Sequence, residues 1–167
     1  MRVDAAPLIN ITPKILASVF QVSEKNPLVG LEERAKLLNE LGQALIRHKY
    51  MFEFGDALRP GNLFDYFLQR QEKGVLAARE ILIAILKSMG EIWPDGTWVD
   101  SIAIGDAAHH EAVKRSDITD RIVPFHKLSQ WMSYSLIEPL QLAGMKIIHL
   151  DALTGLAEYR NGGLFID

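Results

Sequence analysis

The sequence contains no cysteine. That absence excludes disulfides, thiol nucleophiles and thiolate metal sites, and it fits a reducing, cytoplasmic setting. Positive charge is not in excess either. Lys and Arg number 18 against 21 Asp and Glu, for a formal net charge of −3. This balance argues against a general binder of nucleic acid or of an anionic membrane surface, which would usually be basic. Long hydrophobic runs are missing: the longest, "ILIAIL" from Ile81 to Leu86, is far shorter than a membrane span. The opening "MRVDAAPLIN" has one arginine and no extended apolar core, so it does not read as a signal peptide. There is no Walker loop, no GxGxxG and no GxSxG elbow, which leaves phosphate-loop, dinucleotide and hydrolase-triad chemistry without a signal. Internal repeats, low-complexity segments and heptads are absent as well.

What is present is ordinary globular composition, 49% apolar and 23% charged over 167 residues, one domain's worth of chain with material for a core. Thr12 followed by Pro13 predicts a helix start, with Ile15, Leu16, Val19 and Phe20 at helical spacing. Leu31, Leu37, Leu38, Leu41 and Leu45 form one stripe of a longer helix. "RPGN" is a turn, and Asn62 is placed to cap the short amphipathic helix "LFDYFLQRQ". The stretch from Leu76 to Met89 is apolar on most faces and predicts a central buried helix. Trp93 to Asp120 reads as a long, structured loop. A further helix begins in "VPFHKLSQW", is interrupted or kinked at Pro139 and closes at Gly144. "MKIIHLDALTGL" fits strand and helix equally. The fold class expected is all-α or mostly α, a multi-helix single domain over residues 1–167.

His109, His110 and Glu111, with Asp100 and Asp106 near, resemble a metal cluster in composition only. Adjacent helical side chains diverge by about 100°, and no HExxH or spaced carboxylate set is present, so no metal is expected. Two other stretches carry more chemistry. Lys127 lies between His126 and the pair Gln130–Trp131. A lysine beside aromatic groups either holds an anion, or snorkels from a helix end with no functional role. Near the end of the chain, Glu158, Tyr159, Arg160 and Asn161 precede two glycines. They form either half of a pocket or a helix C-terminus, with Arg160 at the negative end and Asn161–Gly162 as the cap.

Four stretches, "FQVSEKNPLVGLEERAKLLNELG", "RPGNLFDYF", "VPFHKLSQWMSYSLIEPL" and "LDALTGLAEYRNGGLFID", together resemble the uracil-catabolism protein four family of fungi and bacteria, long catalogued as a domain of unknown function. The similarity spans nearly the whole chain, and the last two stretches are its most specific part. Ala157 departs from it, standing where proline is expected. Family members are longer, with helical sequence on both sides, so the resemblance implies that this chain is a fragment or a protein that has lost its flanks. It also implies a role in degrading uracil through a nucleotide or ribosyl-urea intermediate to urea.

A second resemblance, to the queuosine-nucleotide salvage glycosidases, helical relatives of DNA glycosylases, rests on "FHKLSQ" followed by "EYR". It implies Lys127 as a pocket lysine and Glu158 as the catalytic carboxylate, with Tyr159 and Arg160 as its neighbours, and a related helical fold. On that basis catalysis is expected from Glu158 and Lys127, and substrate contact from His126, Gln130, Trp131, Tyr159, Arg160 and Asn161. The expected partner is a small nucleoside, nucleotide or ribosyl-urea. No cofactor, nucleic acid or membrane is expected, and apolar surface left by absent flanks would favour self-association. The competing expectation is a non-catalytic helical module that binds a nucleotide or a partner enzyme of the same route.

Overall fold

The computed structural model of the protein describes residues 3–155. The chain divides into two compact units. The first takes the chain up to Gln69 together with Glu91–Pro94. It contains α1 (Ala5–Leu8), α2 (Pro13–Val19), α3 (Leu31–Arg47), α4 (Lys49–Phe52), a two-residue hairpin of β1 (Glu53–Phe54) and β2 (Ala57–Leu58), and α5 (Leu63–Arg70). Thr12 caps α2 as its sequence predicts, its hydroxyl accepting from the Ile15 amide at 3.2 Å with Pro13 at the first helical position.

The long helix α3 is where the leucine stripe puts it, but its buried face is Ala35, Gly42, Ala44 and Leu45. Of the five stripe leucines only Leu45 is buried. The reason is a close backbone approach. A Cβ on Gly42 would stand 2.6 Å from Ile9 Cγ2 and 2.9 Å from the Ile9 nitrogen, so the end of α1 lies directly on that glycine. Asn39 fixes the approach, its amide donating to the Leu8 and Ile11 carbonyls at 2.8 and 3.0 Å. The Leu8 carbonyl ends α1, where the helix itself supplies no donor, and that of Ile11 lies three residues on. Asn62, expected to cap α5, is buried and instead donates to the carbonyls of Phe52 (2.7 Å) and Ala57 (2.9 Å). It thereby ties the β1–β2 hairpin to the turn that precedes α5.

The second unit takes Arg70–Gly90 and the chain from Asp95 onward. It contains β3 (Val75–Ala77), α6 (Ala78–Met89), β4 (Trp98–Val99), β5 (Ile102–Ala103), β6 (Ala108–His109), β7 (Ile122–Val123), α7 (Lys127–Leu142) and β8 (Lys146–Ile148). The ambiguous "MKIIH" is the strand β8. It pairs in parallel with β3, Leu76 opposite Ile147, and both of these side chains are buried. Helix α6 is buried as expected, through Ala78, Ile81, Ala84, Ile85, Ser88 and Met89. It packs on α7, whose buried residues are Ser129, Gln130, Ser133, Ile137 and Leu140.

Buried serines line both helices, and two of them, Ser88 and Ser133, are satisfied within their own helix. The Ser88 hydroxyl donates to the Ala84 carbonyl at 2.7 Å and that of Ser133 to the Ser129 carbonyl at 2.8 Å. Small side chains that need no partner across the interface suit close helix packing. Pro139 neither ends nor splits α7, which runs on to Leu142. It sits in the last turn, where its missing N–H costs one bond. The helix then closes as predicted at Gly144 (φ 94°), with the Met145 amide on the Leu140 carbonyl at 3.0 Å.

Helices dominate the described residues. The four strand pairs among them were not visible in the sequence, because strands of two or three residues are too short to show alternation. Among the described residues no helix is long and apolar enough to cross a membrane.

The Gly42 contact yields a test. Alanine is the better helix former by about 1 kcal/mol. Gly42→Ala nevertheless drives a methyl into the Ile9 backbone, an overpacking cost of about 1–3 kcal/mol. The variant should melt below the wild type by circular dichroism, and Gly42→Leu lower still. A higher melting point for Gly42→Ala would show that the approach of α1 is soft.

Candidate functional site

The stretch "FHKLSQW" forms the start of α7. His126 is its N-cap, in the left-handed region at φ 47°, and makes no side-chain capping bond. Residues other than glycine are uncommon there, though histidine less so than most, and they persist where their surroundings impose the conformation. The capping role falls to Asp106, 22 residues before Leu128. One carboxylate oxygen accepts from the amides of Leu128 (2.5 Å) and Ser129 (3.3 Å), and the other from the Ser129 hydroxyl (2.5 Å). These amides are the second and third of the helix, the donors a local cap would serve, and a negative charge there also complements the helix dipole.

The turn that presents Asp106 is held tightly. Gly105, at φ 80°, precedes it, and a Cβ there would lie 3.0 Å from Leu86 Cδ2. Buried Thr97 donates its amide to the Gly105 carbonyl (2.9 Å) and its hydroxyl to the Ala107 carbonyl (2.8 Å), one on each side of Asp106. The Trp93–Asp120 stretch is therefore structured: β4 pairs with β5, β6 with β7, and Asp106 pins the turn between the two pairs to α7. Gly90, just after α6, closes the arrangement, since a Cβ on it would stand 3.1 Å from the Ala103 carbonyl.

His126 Nδ1 faces Asp106 at 3.8 Å, an ion-pair separation too long for a hydrogen bond. Both side chains are nearly enclosed, at 14% and 12% exposure. Burial pushes the Asp106 carboxyl up. The His126 side chain, the Ser129 hydroxyl and the Leu128 and Ser129 amides outweigh it and hold the group below its ordinary value. Asp106 is thus a carboxylate kept ionised.

The four expected residues in this stretch come together on the first turns of α7. Gln130 stands one turn after His126, its amide on the His126 carbonyl at 2.7 Å. Its side chain is buried at 4% exposure, and Oε1 has no hydrogen-bond partner among the described residues. Lys127 is half-buried, and Trp131, one turn on, is 47% exposed beside exposed Phe125 and Leu128. Two turns beyond Lys127, the Tyr134 hydroxyl donates to the Thr154 carbonyl at 3.2 Å. Glu158, Tyr159, Arg160 and Asn161 lie outside the described residues. His109 and His110 are both exposed, His109 on β6 and His110 with its ring nitrogen accepting from the Ala112 amide at 3.1 Å.

Asp106 reads in the sequence only as a neighbour of the His109–Glu111 cluster, which misses its role at α7. It stood among polar residues of a loop, and no spacing rule links it to a helix more than twenty residues later.

Comparison with known proteins gives a family described as "Protein of unknown function (DUF1688)", matched over residues 1–167. "Uracil catabolism protein 4" of Lachancea kluyveri is 40% identical over 177 residues, covering 99% of this chain and 40% of that protein. "Protein urg3" of Schizosaccharomyces pombe (strain 972 / ATCC 24843) is 35% identical over 173 residues, covering 99% of this chain and 38% of that protein. The chain thus spans about two fifths of the length of these curated relatives. No solved structure matches it.

The cap carries a stability prediction. Asp106→Ala leaves two helix amides and a buried hydroxyl without their acceptor and should cost about 1–3 kcal/mol at neutral pH. Because the folded-state value of Asp106 is lowered, its stabilisation is fully present above the unfolded value of about 3.9 and is lost as pH falls through the lower folded value. Urea unfolding at pH 7 should therefore separate wild type from Asp106→Ala clearly, and the gap should narrow below pH 4. A gap independent of pH would mean that the charge contributes nothing.

Proposed function

The chain belongs to the family described as protein of unknown function, DUF1688, and on that footing we propose that it acts in uracil degradation as an N-ribosidase, hydrolysing a ribosyl-urea or a uracil-derived ribonucleotide. The pathway half of the reading follows the names of the two relatives. The observation that carries the chemical half is the buried Oε1 of Gln130, without a partner among the described residues, one helical turn from His126 and adjacent in the chain to half-exposed Trp131. An unspent acceptor in a dry setting is costly unless a ligand donor completes it. A uracil ring or ureido group is flat, presents N–H donors and has faces that suit stacking on Trp131 or Phe125.

In the proposed reaction positive charge builds on the ribose as the C1′–N bond lengthens. Glu158 offsets that charge and takes a proton from the attacking water, and Lys127 or His126 gives a proton to the leaving nitrogen. Tyr159 and Asn161 contact the sugar or base. Arg160 would meet a 5′-phosphate through paired charge-assisted bonds. Reach is adequate. Tyr134 and Lys127 are seven residues apart on α7, about 10 Å along the axis. Thr154, bonded to Tyr134, precedes Glu158 by four residues, which span at most about 14 Å when extended. The same reading aligns α7 and the segment after Thr154 with the lysine and carboxylate elements of the queuosine-nucleotide salvage glycosidases, and so with a glycosylase-like helical fold.

Purified protein given candidate ribosides should release free base or urea, and Glu158→Gln should reduce that release by about 10²–10⁴-fold with the melting point kept. Unaltered turnover in Glu158→Gln removes that residue from the mechanism, and a riboside that binds but persists intact favours a non-catalytic binding module. Gln130→Met separates stability from recognition. Loss of an unsatisfied buried acceptor should leave the melting point unchanged or raise it, while KM rises about tenfold. A fall in stability with KM unchanged would make Gln130 a structural residue only.

A further inference from the structure

We propose that Asp106 is a positioning residue for proton transfer by His126, fixing the imidazole so that Nδ1 faces the Asp106 carboxylate and Nε2 is the nitrogen presented to substrate. The inference deepens the N-ribosidase reading and rests on it for the reaction served.

Three observations outside that reading carry it. First, His126 Nδ1 is buried without a hydrogen-bond partner among the described residues, and an Asp106 carboxylate oxygen stands 3.8 Å from it. Since Nδ1 itself is buried, the 14% exposure of the side chain belongs to the rest of the group. Second, the ring is held where it is. Its backbone is locked in the left-handed region, its carbonyl takes the first helical bond of α7, and a Cβ on Gly105 would already lie 3.8 Å from Nδ1. Third, Asp106 is itself immobilised from three directions by Leu128, Ser129 and the Thr97-bound turn. A carboxylate built only to cap α7 would not need an imidazole beside it with its near nitrogen unspent. The charged groups adjoining the ring are Asp106, from the turn between β5 and β6, and Lys127, next in the chain; Gly105 contributes backbone only.

The step served balances as follows. The C1′–N bond breaks and its electron pair stays on nitrogen, which takes the proton from Nε2. The water oxygen bonds to C1′ and its proton passes to Glu158. The imidazole is left neutral with its remaining proton on Nδ1, against Asp106, and regains the other from solvent. The carboxylate dictates which nitrogen keeps its proton after the transfer. A separation of 3.8 Å without substrate is within what such contacts show before substrate binds.

Asp106→Asn tests this. The amide oxygen can still accept from Leu128 and Ser129, so the cap survives. The amide NH₂ then faces Nδ1 and reverses the tautomer, as the corresponding change does in the serine-protease triad. Nitrogen-15 spectra of the neutral imidazoles, with His126 assigned by its loss in His126→Gln, should show the proton on Nδ1 in wild type and on Nε2 in Asp106→Asn. In turnover, kcat should fall at least tenfold with KM within twofold and the melting point nearly kept. An Nε2-protonated ring in wild type, or a tautomer unmoved by Asp106→Asn, overturns the pairing whatever the turnover. A normal kcat in Asp106→Asn overturns its catalytic part. Should Asp106→Asn fail to fold, His126→Gln, which leaves the cap intact, must lower kcat by tenfold or more at constant KM, and normal kcat there overturns the proposal. A wild-type protein that shows the Nδ1 tautomer but hydrolyses no riboside refutes the N-ribosidase reading and the catalytic role together, while the pairing stands on the spectra.

Discussion

The second unit depends on one carboxylate. Asp106 is drawn out of water by its turn, and it stays ionised because two helix amides, a hydroxyl and an imidazole compensate the loss of hydration. In return it starts α7, whose own N-cap residue, His126, has the wrong conformation and no capping bond. It also turns the Trp93–Asp120 stretch into a defined loop, by giving its midpoint a fixed address on a helix. A surface carboxylate would contribute little here; a nearly enclosed one, with charge-assisted bonds of 2.5 Å, fixes geometry.

That anchor explains why the residues with most chemical promise sit where they do. Lys127, Gln130 and Trp131 belong to the first turns of α7, the part of a helix that frays unless it is capped. Capping from a distant loop rather than from the preceding residue leaves His126 free for another task, at the cost of a left-handed backbone. The buried serines on α6 and α7 serve the same end from behind. Ser88 and Ser133 bond within their own helices, while Ser129 gives its hydroxyl to Asp106 and so joins the packing to the anchor.

Much of the architecture was legible locally. Thr12–Pro13, Gly144 and the apolar stretch around Ile81 and Ile85 each act through neighbours a few residues away, and each appears as read. The failures share a different cause. The leucine stripe of α3 named a plausible face, but the end of α1 lies on Gly42 and moves the burial to the small residues. Asn62 had the chemistry of a cap, but two carbonyls some five and ten residues back claimed its amide. Pro139 was read as an end or a kink, but α7 runs on past it to Leu142. In each case a contact or a position, not a propensity, decided the outcome.

The sequence by itself determined the helical character of the chain, the clustering of His126, Lys127, Gln130 and Trp131, and the family, because these depend on residue identity, on short-range periodicity or on long unusual strings. Only the tertiary structure decided that Asp106 serves α7, that Gln130 buries an acceptor without a partner, and that Thr154 is tied to the helix carrying Lys127. Such pairings join residues about twenty positions apart, through loops whose closure costs entropy and leaves no periodic trace. They exist only once packing has brought the partners together.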